Sequence, residues 1–285
     1  MRDMKHPSYR ILVTGASSGI GFDVAKTLAL AGHTVYAGAR RMELMEPLRE
    51  FGVTPLRLDV CDEAAIDECL AAAGPIDVLV NNAGFGYFGS VENVPIEEAR
   101  RQLDVNVFGL AALCQKVLPG MRERGFGRII NVSSVAGRAA MMFGAWYNVS
   151  KYAVEALSDA LRMEVKPFGI DVVLIEPGGI KTDWGIIAAR HLKESSAGTA
   201  YEEPALREAT VLDKGYSSNF LSSPKKVTRA IVRAVHARRP RVRYVTGAFS
   251  RTMIIGHAIL PARGWDACSR ILASRRLAKF AEKLK

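Results

Sequence analysis

The chain has 285 residues, of which 49% are apolar and 24% are charged, so it can bury a sizeable core. This composition excludes a disordered, a collagen-like or a small disulfide-stapled protein. The net charge of +10 is uneven, because the segment Lys225–Lys285 holds 16 basic and two acidic residues and leaves the preceding chain at −4. For such a basic terminal segment, a membrane-surface role competes with a nucleic-acid role.

Cysteine spacing and hydropathy indicate the compartment. The four cysteines show no C-x-x-C spacing, no histidine cluster completes a zinc site, and we therefore expect free thiols and no metal. Free thiols are typical of a reducing compartment. The N-terminus lacks the apolar stretch of a signal peptide, and no apolar run reaches the roughly 18 residues of a transmembrane helix. The sequence thus predicts a cytoplasmic protein, with association to a membrane as an alternative.

Short apolar segments alternate with helical patterns along most of the chain. The pattern predicts strands at Arg10–Thr14, Thr34–Ala39, Val53–Leu58, Ile76–Val80, Arg128–Val132, Ile170–Ile175 and Val242–Thr246. It predicts helices at Ile20–Ala31, Glu43–Glu50, Asp62–Ala73, Pro95–Arg122, Tyr147–Lys166 and after Ser223-Pro224. Strands rich in Val, Ile and Leu are typical of a parallel sheet that is covered on both faces. We therefore predict an α/β fold with a doubly wound, Rossmann-type sheet.

The alternation of strands and helices stops between Gly178 and Ser223. A structureless loop of this length is uncommon inside a domain, so we predict a lid with short helices over about residues 178–223. We expect one dinucleotide-binding and catalytic domain at residues 1–250, followed by a basic C-terminal helical extension at 251–285.

A glycine-rich turn, TGASSGIG at Thr14–Gly21, joins the first strand to the first helix. Glycines let a pyrophosphate approach the backbone, and the helix N-terminus offers free N–H groups and a positive dipole end. The G-x-x-x-G-x-G spacing differs from the common G-x-G-x-x-G fingerprint, and on its own the turn could be structural. Its position between strand and helix favours a dinucleotide site formed by Gly15, Ser17, Ser18, Gly19, Ile20 and Gly21.

Five further motifs follow in chain order. They are Asn81–Gly84 (NNAG), a lone Asn106, Ser134, Tyr147–Lys151 (YNVSK) and Pro177–Thr182 (PGGIKT). In this order and with the glycine-rich turn they resemble the short-chain dehydrogenase/reductase family, in its classical-type subgroup, over about Arg10–Thr182. The resemblance implies a nicotinamide-dependent oxidoreductase whose cofactor also contacts Asp59, Val60, Asn82, Ala83, Gly84, Tyr147, Lys151, Pro177, Gly178, Ile180 and Thr182.

The same resemblance assigns catalysis to Asn106, Ser134, Tyr147 and Lys151. Reduction of a carbonyl leaves negative charge on oxygen, so a general acid must supply a proton. Tyr147 would be that acid, and the Lys151 cation one turn away, with the oxidised nicotinamide, is expected to lower its pKa from near 10. Ser134 would stabilise the substrate oxygen, Lys151 would also hold the nicotinamide ribose, and Asn106 would anchor a water.

Plainer interpretations of these residues stay open. Tyr147 and Lys151 could be an ordinary surface pair, and Asn106 could cap or kink its helix. Ser133 competes with Ser134, and only the family spacing selects the second serine.

Two arginines at the end of the second strand bear on the choice of cofactor. An NAD site places an acidic residue there to bind the ribose hydroxyls, whereas this chain has Arg40 and Arg41. Guanidinium groups pair with a 2′-phosphate, although a solvated basic turn would look the same. We predict NADP(H) rather than NAD(H).

Apolar residues near the predicted site indicate the substrate. A pocket formed by them would suit a hydrophobic secondary alcohol, ketone or aldehyde, and core packing is the alternative. The residues are Phe85, Tyr87, Phe88, Met141, Met142, Phe143, Trp146, Trp184, Ile186 and Ile187. The pattern resembles the steroid- and retinol-dehydrogenase branch of the family. A non-catalytic nucleotide sensor on the same fold is the rival function, and the intact Tyr147, Lys151 and Ser134 argue against it.

The partners follow from the tail and from the family. Ile271, Leu272, Leu277 and Phe280 alternate with Arg and Lys at near-helical spacing, as in a helix that lies on an anionic membrane. Packing against the domain, the substrate entrance or a partner subunit is the alternative. We also expect a homo-oligomer, a dimer or a tetramer, and no nucleic-acid partner.

Overall fold

Seven parallel strands form the centre of the structure. The computed structural model describes residues 7–217 and 221–272. The strands are β1 (Arg10–Thr14), β2 (Thr34–Ala39), β3 (Thr54–Arg57), β4 (Val78–Asn81), β5 (Gly127–Val132), β6 (Ile170–Pro177) and β7 (Arg243–Thr246). Their order is β3-β2-β1-β4-β5-β6-β7, and every neighbouring pair is parallel. The sheet reverses its winding between β1 and β4, which makes that point the ligand crevice of such folds.

Helices cover both faces of this sheet. They are α1 (Gly19–Leu30), α2 (Glu63–Ala73), α3 (Ile96–Leu103), α4 (Gly109–Glu123), α5 (Ala145–Val165), α6 (Trp184–Ser196), α7 (Glu202–Ser217), α8 (Lys225–His236), α9 (Ser250–Ile259) and α10 (Ala262–Leu272). Ile11 and Val13 of β1 pack on the face that α1 and α8 cover, whereas Leu12 packs on the face of α2, α4 and α5. This alternation follows from the two-residue period of a strand. The predicted fold class, a single doubly wound α/β domain, is confirmed.

Two predicted helices differ from the structure. The segment Glu43–Glu50 forms two 3₁₀ turns, Met42–Leu44 and Glu46–Phe51, because Pro47 at the start of the second turn cannot continue a helix from the first. The predicted helix Pro95–Arg122 is divided by a π-helical segment, Asp104–Phe108, between α3 and α4. Asn106 lies in that segment.

The two segments outside the regular alternation are helical. α6 and α7 occupy most of the predicted lid, and α9 and α10 occupy the described part of the predicted extension. Leu277 and Phe280 lie outside the described residues, as does the side chain of Leu272. Within residues 7–217 and 221–272, no helix is both long and apolar enough to cross a membrane.

Candidate active site

The predicted motifs meet at one edge of the sheet. The glycine-rich turn follows β1, the NNAG motif ends β4 and continues beyond it, Ser134 follows β5, and the PGGIKT motif begins at the end of β6. Because all the strands are parallel, their carboxyl ends lie at the same edge, on both sides of the β1/β4 reversal.

The glycine-rich turn and the NNAG motif lie back to back. Gly15 has a φ of +65°, and a Cβ there would lie 2.8 Å from the Cα of Ala83. A Cβ on Gly21 would lie 2.5 Å from the carbonyl oxygen of Gly15. Only glycine, which has no Cβ, permits the backbone to pass this close at both positions. Backbone atoms therefore line the predicted dinucleotide site here.

Thr14 connects these two motifs by hydrogen bonds, a role that the sequence did not predict. Its hydroxyl accepts hydrogen bonds from the backbone N–H groups of Asn82 and Ala83, each at 3.0 Å. The Asn82 carboxamide donates back to the carbonyl oxygens of Thr14 (3.0 Å) and Gly15 (3.3 Å). The available signal was its place as the first residue of the turn.

The N-terminus of α1 is free to receive an anion. Ser18 precedes the helix without forming a side-chain cap, and the first turn of the helix holds no acidic residue. Ser18 and Gly19 are exposed, whereas Gly21 is buried. The uncapped N–H groups and the positive dipole end suit a pyrophosphate, so the residues present fit a dinucleotide.

Arg40 and Arg41 directly follow the neighbouring strand β2 and are both exposed. The Arg41 guanidinium donates to the hydroxyl of Ser17 at 3.1 Å, so it is held against the glycine-rich turn. Beyond β3, Asp59 accepts the backbone N–H of Cys61 at 3.0 Å, and Val60 is buried. The first carboxylate after β2 is Glu43, so no acid stands where an NAD site would place one.

The structure brings Ser134 and Tyr147 together. Tyr147 is buried in the first turn of α5, and its hydroxyl is hydrogen-bonded with the hydroxyl of Ser134. Ser134 also donates to the carbonyl oxygen of Pro177 (3.4 Å) and accepts the N–H of Ala136 (3.1 Å). The Ser133 hydroxyl is buried and finds no hydrogen-bond partner among the described residues. The geometry therefore favours Ser134 over Ser133.

Lys151 is buried one turn further along α5. Its Nζ donates to the carbonyl oxygen of Val132 at 2.9 Å and lies 5.8 Å from the ring centroid of Tyr147. Burial lowers the pKa of Lys151 to about 8, and the charge of Glu155 opposes this shift. These contacts are not those of a solvated surface pair.

The protein alone does not give Tyr147 the low pKa that the sequence analysis expected. Burial raises the pKa of Tyr147 to about 12, and the hydrogen bond with Ser134 offsets this only in part. The lowering expected from Lys151 together with the oxidised nicotinamide stays a prediction, because it includes a positive charge that the chain alone does not carry.

Asn106 holds the π-helical segment against the NNAG loop. Its Oδ1 accepts the N–H of Phe85 (3.0 Å), and its Nδ2 donates to the carbonyl oxygen of Phe85 (2.9 Å) and to the hydroxyl of Ser150 (3.0 Å). Both amide hydrogens are therefore occupied. π-helical turns inside α-helices are frequent at functional sites, and the expected water at Asn106 stays a prediction.

The PGGIKT motif connects β6 to α6. The N–H of Gly178 donates to the carbonyl oxygen of Thr246 in β7 at 2.8 Å. Ile180 is buried and pairs with Ser222 in a single β-bridge, and Thr182 is half-buried just before α6. The predicted cofactor contacts of this motif stay predictions.

Aromatic side chains form a wall beside Tyr147. The ring centroid of Trp184 lies 5.0 Å from that of Tyr147 and 5.5 Å from that of Phe88, which it meets edge to face. Phe143 belongs to the same buried cluster, and Met141 and Met142 pack at its edge. Tyr216 of α7, which the sequence analysis missed, lies 6.0 Å from Trp184.

Other predicted pocket residues lie elsewhere. Ile186 and Ile187 are about 40% exposed on α6. Tyr87 stacks on His191 at 4.7 Å, and Phe85 lies under the Arg101 guanidinium at 5.1 Å. Their positions could not be assigned from sequence because the orientation of α6 depends on tertiary packing.

The C-terminal extension reaches this region. The indole N–H of Trp265 in α10 donates to the carbonyl oxygen of Ala140 at 2.8 Å. Ala140 lies in the loop between Ser134 and Tyr147. α10 is thus attached to the segment that precedes the tyrosine.

Known proteins are similar to this chain in sequence and in fold. Residues 9–190 match the short chain dehydrogenase family model. The chain is 36% identical to a probable short-chain type dehydrogenase/reductase (VdlC) of Helicobacter pylori, over 93% of this chain and 98% of that protein. It is also 36% identical to a 3-ketodihydrosphingosine reductase of Bacteroides thetaiotaomicron, over 83% and 87%. A serine dehydrogenase, solved in a closed form complexed with NADP⁺, gives a TM-score of 0.71 at 27% identity, over 84% of this chain and 95% of that one.

The chain belongs to the short-chain dehydrogenase/reductase family. As a member, it is an oxidoreductase that acts on CH–OH groups, binds a nicotinamide cofactor and takes small-molecule substrates. The predicted enzyme class is confirmed.

Proposed function

We propose that this protein is an NADPH-dependent reductase of bulky hydrophobic ketones or aldehydes, with Tyr147 as the proton donor. The observation that carries the proposal is the buried pair of hydroxyls, Ser134 and Tyr147, which lies under an aromatic wall at the sheet edge that holds the cofactor motifs.

Each residue has a distinct task in this reaction. When bound, the nicotinamide supplies or accepts the hydride. Ser134 hydrogen-bonds the substrate oxygen and stabilises the charge that develops there. Tyr147 donates its phenolic proton to the same oxygen, and its raised pKa keeps that proton in place at neutral pH. Lys151 supplies a buried positive charge beside the tyrosine.

The cofactor would lie along the sheet edge. The uncapped N-terminus of α1 would hold the pyrophosphate, with Gly15, Ser17, Ser18, Gly19, Ile20 and Gly21 around it. Asp59 and Val60 would lie beside the adenine, and Asn82, Ala83, Gly84, Pro177, Gly178, Ile180 and Thr182 nearer the nicotinamide. Arg40 and Arg41 would bind the 2′-phosphate, which favours NADP(H) over NAD(H).

The substrate class follows from the aromatic wall. Phe88, Phe143 and Trp184 offer apolar surface next to Tyr147, and we infer a substrate with a long or bulky hydrocarbon part. The relative that is named a 3-ketodihydrosphingosine reductase supports a long-chain ketone of this kind. Steroid and retinoid carbonyls are the alternatives of the same class.

A carbonyl panel tests this function. NADPH absorbance would be followed with 3-ketodihydrosphingosine, a steroid ketone, retinal, a short aldehyde and, in the oxidative direction with NADP⁺, serine. We expect turnover of at least one bulky carbonyl and at least tenfold lower kcat/KM for the short aldehyde, because apolar contact with the wall would be lost. The Trp184→Ala variant should reduce that preference. Efficient turnover of serine alone would contradict the proposed substrate class.

We also propose that the C-terminal extension contacts an anionic membrane surface. Phe249, which precedes α9, and Ile255, Ile259 and Ile271 on α9 and α10 are 56–74% exposed. Arg251, Arg263 and Arg270 lie on the same two helices. Apolar residues flanked by cations are typical of helices that lie in a membrane interface.

The homo-oligomer stays part of the proposal. Val149, Tyr152 and Met163 are exposed along α5, and Phe108 is exposed just before α4. Exposed apolar side chains of this size are enriched in interfaces between subunits. We propose a dimer or a tetramer that covers them.

A further inference from the structure

An ionic cluster lies behind the proposed catalytic residues, on the side of β7. Arg243 contacts three carboxylates: Glu155 and Asp159 of α5 and Glu176 of β6. Its Nη2 lies 3.0 Å from Glu155 and 2.6 Å from Asp159, and its Nε lies 3.0 Å from Glu176. Glu176 also forms an ion pair with Arg138 at 3.4 Å, and Asp159 forms one with Arg162 at 3.0 Å.

Two of these carboxylates are deeply buried. The side chain of Glu155 is 8% exposed and that of Glu176 is 0% exposed. In each of them one oxygen contacts Arg243, while the other oxygen has no hydrogen-bond partner among the described residues. Burying a carboxylate in this way is costly, so the position of Glu155 calls for a physical reason.

Glu155 lies one helical turn beyond Lys151 on the buried face of α5. Both residues border the same small space: a Cβ on Gly137 would lie 2.9 Å from the Cγ of Glu155 and 2.9 Å from the carbonyl oxygen of Lys151. Tyr147 lies one turn before Lys151, and the neutral Asn106 and Gly84 lie on the side of the cofactor motifs. Among the described groups that act on Lys151, Glu155 is the one that raises its pKa, against the effect of burial.

We propose that Glu155 is a positioning residue whose buried carboxylate, held by Arg243, keeps the side chain of Lys151 protonated. The catalytic consequence rests on the proposed function, because it needs Lys151 to act as a cation beside Tyr147. Arg243 keeps Glu176 and Asp159 as partners when Glu155 is neutralised, so the isosteric variant Glu155→Gln should fold.

The charge of Lys151 can be measured in the protein without cofactor. Lysine labelled with ¹³C at Cε would be titrated by NMR, and the signal of Lys151 would be identified by its loss in Lys151→Met. We expect the titration midpoint of Lys151, about 8 in the wild type, to fall by roughly one pH unit in Glu155→Gln, because a neighbouring opposite charge is removed.

Asp159→Asn is the matched control. Asp159 binds the same Arg243 from the same helix but lies two turns from Lys151. The Asp159→Asn substitution should therefore leave the titration midpoint of Lys151 almost unchanged. A wild-type midpoint in Glu155→Gln, or an equal shift in Asp159→Asn, would overturn the proposal. If Glu155→Gln does not fold, Glu155→Met gives a second neutral side chain of similar volume and the same expected shift.

The alkaline limb of the kcat/KM profile separates this inference from the proposed function. In Glu155→Gln we expect the pH at which kcat/KM begins to fall to decrease together with the titration midpoint of Lys151. A midpoint that moves in the NMR titration without any change in the activity profile would leave the Glu155–Lys151 coupling standing and would remove Lys151 from the proposed reaction.

Discussion

Tyr147 and Lys151 lie side by side with opposite pKa shifts that share one cause. Burial raises the pKa of Tyr147 to about 12 and lowers that of Lys151 to about 8, because both shifts favour the uncharged form. Below pH 8 the tyrosine is neutral and the lysine is a cation, which is the combination that a reduction needs. As the pH rises through about 8, Lys151 loses its proton and we expect the rate of reduction to fall.

We propose that Arg40 and Arg41 select NADP(H) over NAD(H). Replacing both with Ala should raise the Kd for NADPH at least tenfold and leave the Kd for NADH within about twofold, since only NADPH carries the 2′-phosphate. Isothermal titration of each cofactor would measure this. Arg49→Ala, which removes an exposed arginine paired with Glu46 beyond the end of β2, is the control. Equal weakening of both cofactors would show that the two arginines do not recognise the phosphate.

The sequence could predict which residues form the candidate site, but not how deeply they are buried or what surrounds them. The order of the motifs selected Ser134 and Tyr147, which the structure brings into hydrogen-bonding contact. The raised pKa of Tyr147 could not be predicted, because burial depends on Phe88, Trp184 and the other packed neighbours. Thr14 and Glu155 were missed for the same reason: the backbone N–H groups of Asn82 and Ala83 that bind Thr14 lie 68 and 69 residues away, and the Arg243 that binds Glu155 lies 88 residues away.

At the scale of elements, helical periodicity could not reveal the π-helical segment at Asp104–Phe108. The segment has only five residues, which is too short to establish a period of its own in the apolar pattern, and it places Asn106 in contact with Phe85 and Ser150. The lid region likewise showed mixed polarity, because α6 and α7 pack on each other and on the aromatic wall.

The C-terminal extension gives a prediction at this scale. Truncation after Ser250 removes α10, all of α9 beyond its first residue and the residues that follow, and it should leave the seven-stranded sheet folded, because β7 ends at Thr246. The full chain should co-sediment with anionic vesicles and be released by high salt, whereas the truncated chain should stay in the supernatant. Ile259→Ser with Ile271→Ser should weaken binding without changing the charge.

Two results would contradict membrane binding by the extension. One is equal vesicle binding by the full and the truncated chains. The other is an unchanged supernatant fraction together with a raised KM for bulky carbonyls or a smaller oligomer, which would assign α10 to the substrate entrance or to a subunit contact. Trp265→Phe tests the entrance separately, since it removes the hydrogen bond to Ala140 and keeps an aromatic ring beside His257.

At the scale of the whole molecule, the topology of the sheet places motifs that are distant in sequence at one edge. Alternating strands and helices predicted that sheet, because a parallel arrangement with crossovers leaves few alternatives. The strand order β3-β2-β1-β4-β5-β6-β7 then places the glycine-rich turn and the NNAG motif together, although 67 residues separate Gly15 from Asn82. Phe88, Phe143 and Trp184 of the aromatic wall could be named from the sequence, whereas Tyr216 could not, because its place beside Trp184 depends on how α6 and α7 pack over the edge.

The most direct test of the central claim is the single-turnover rate of Tyr147→Phe with saturating NADPH and the preferred carbonyl from the panel. The variant keeps the ring that packs against Trp184 and loses only the hydroxyl that carries the proton. We expect the rate to fall by about 10²- to 10⁴-fold, with an unchanged Kd for NADPH. A rate within a few-fold of the wild type, with cofactor binding intact, would show that Tyr147 is not the proton donor.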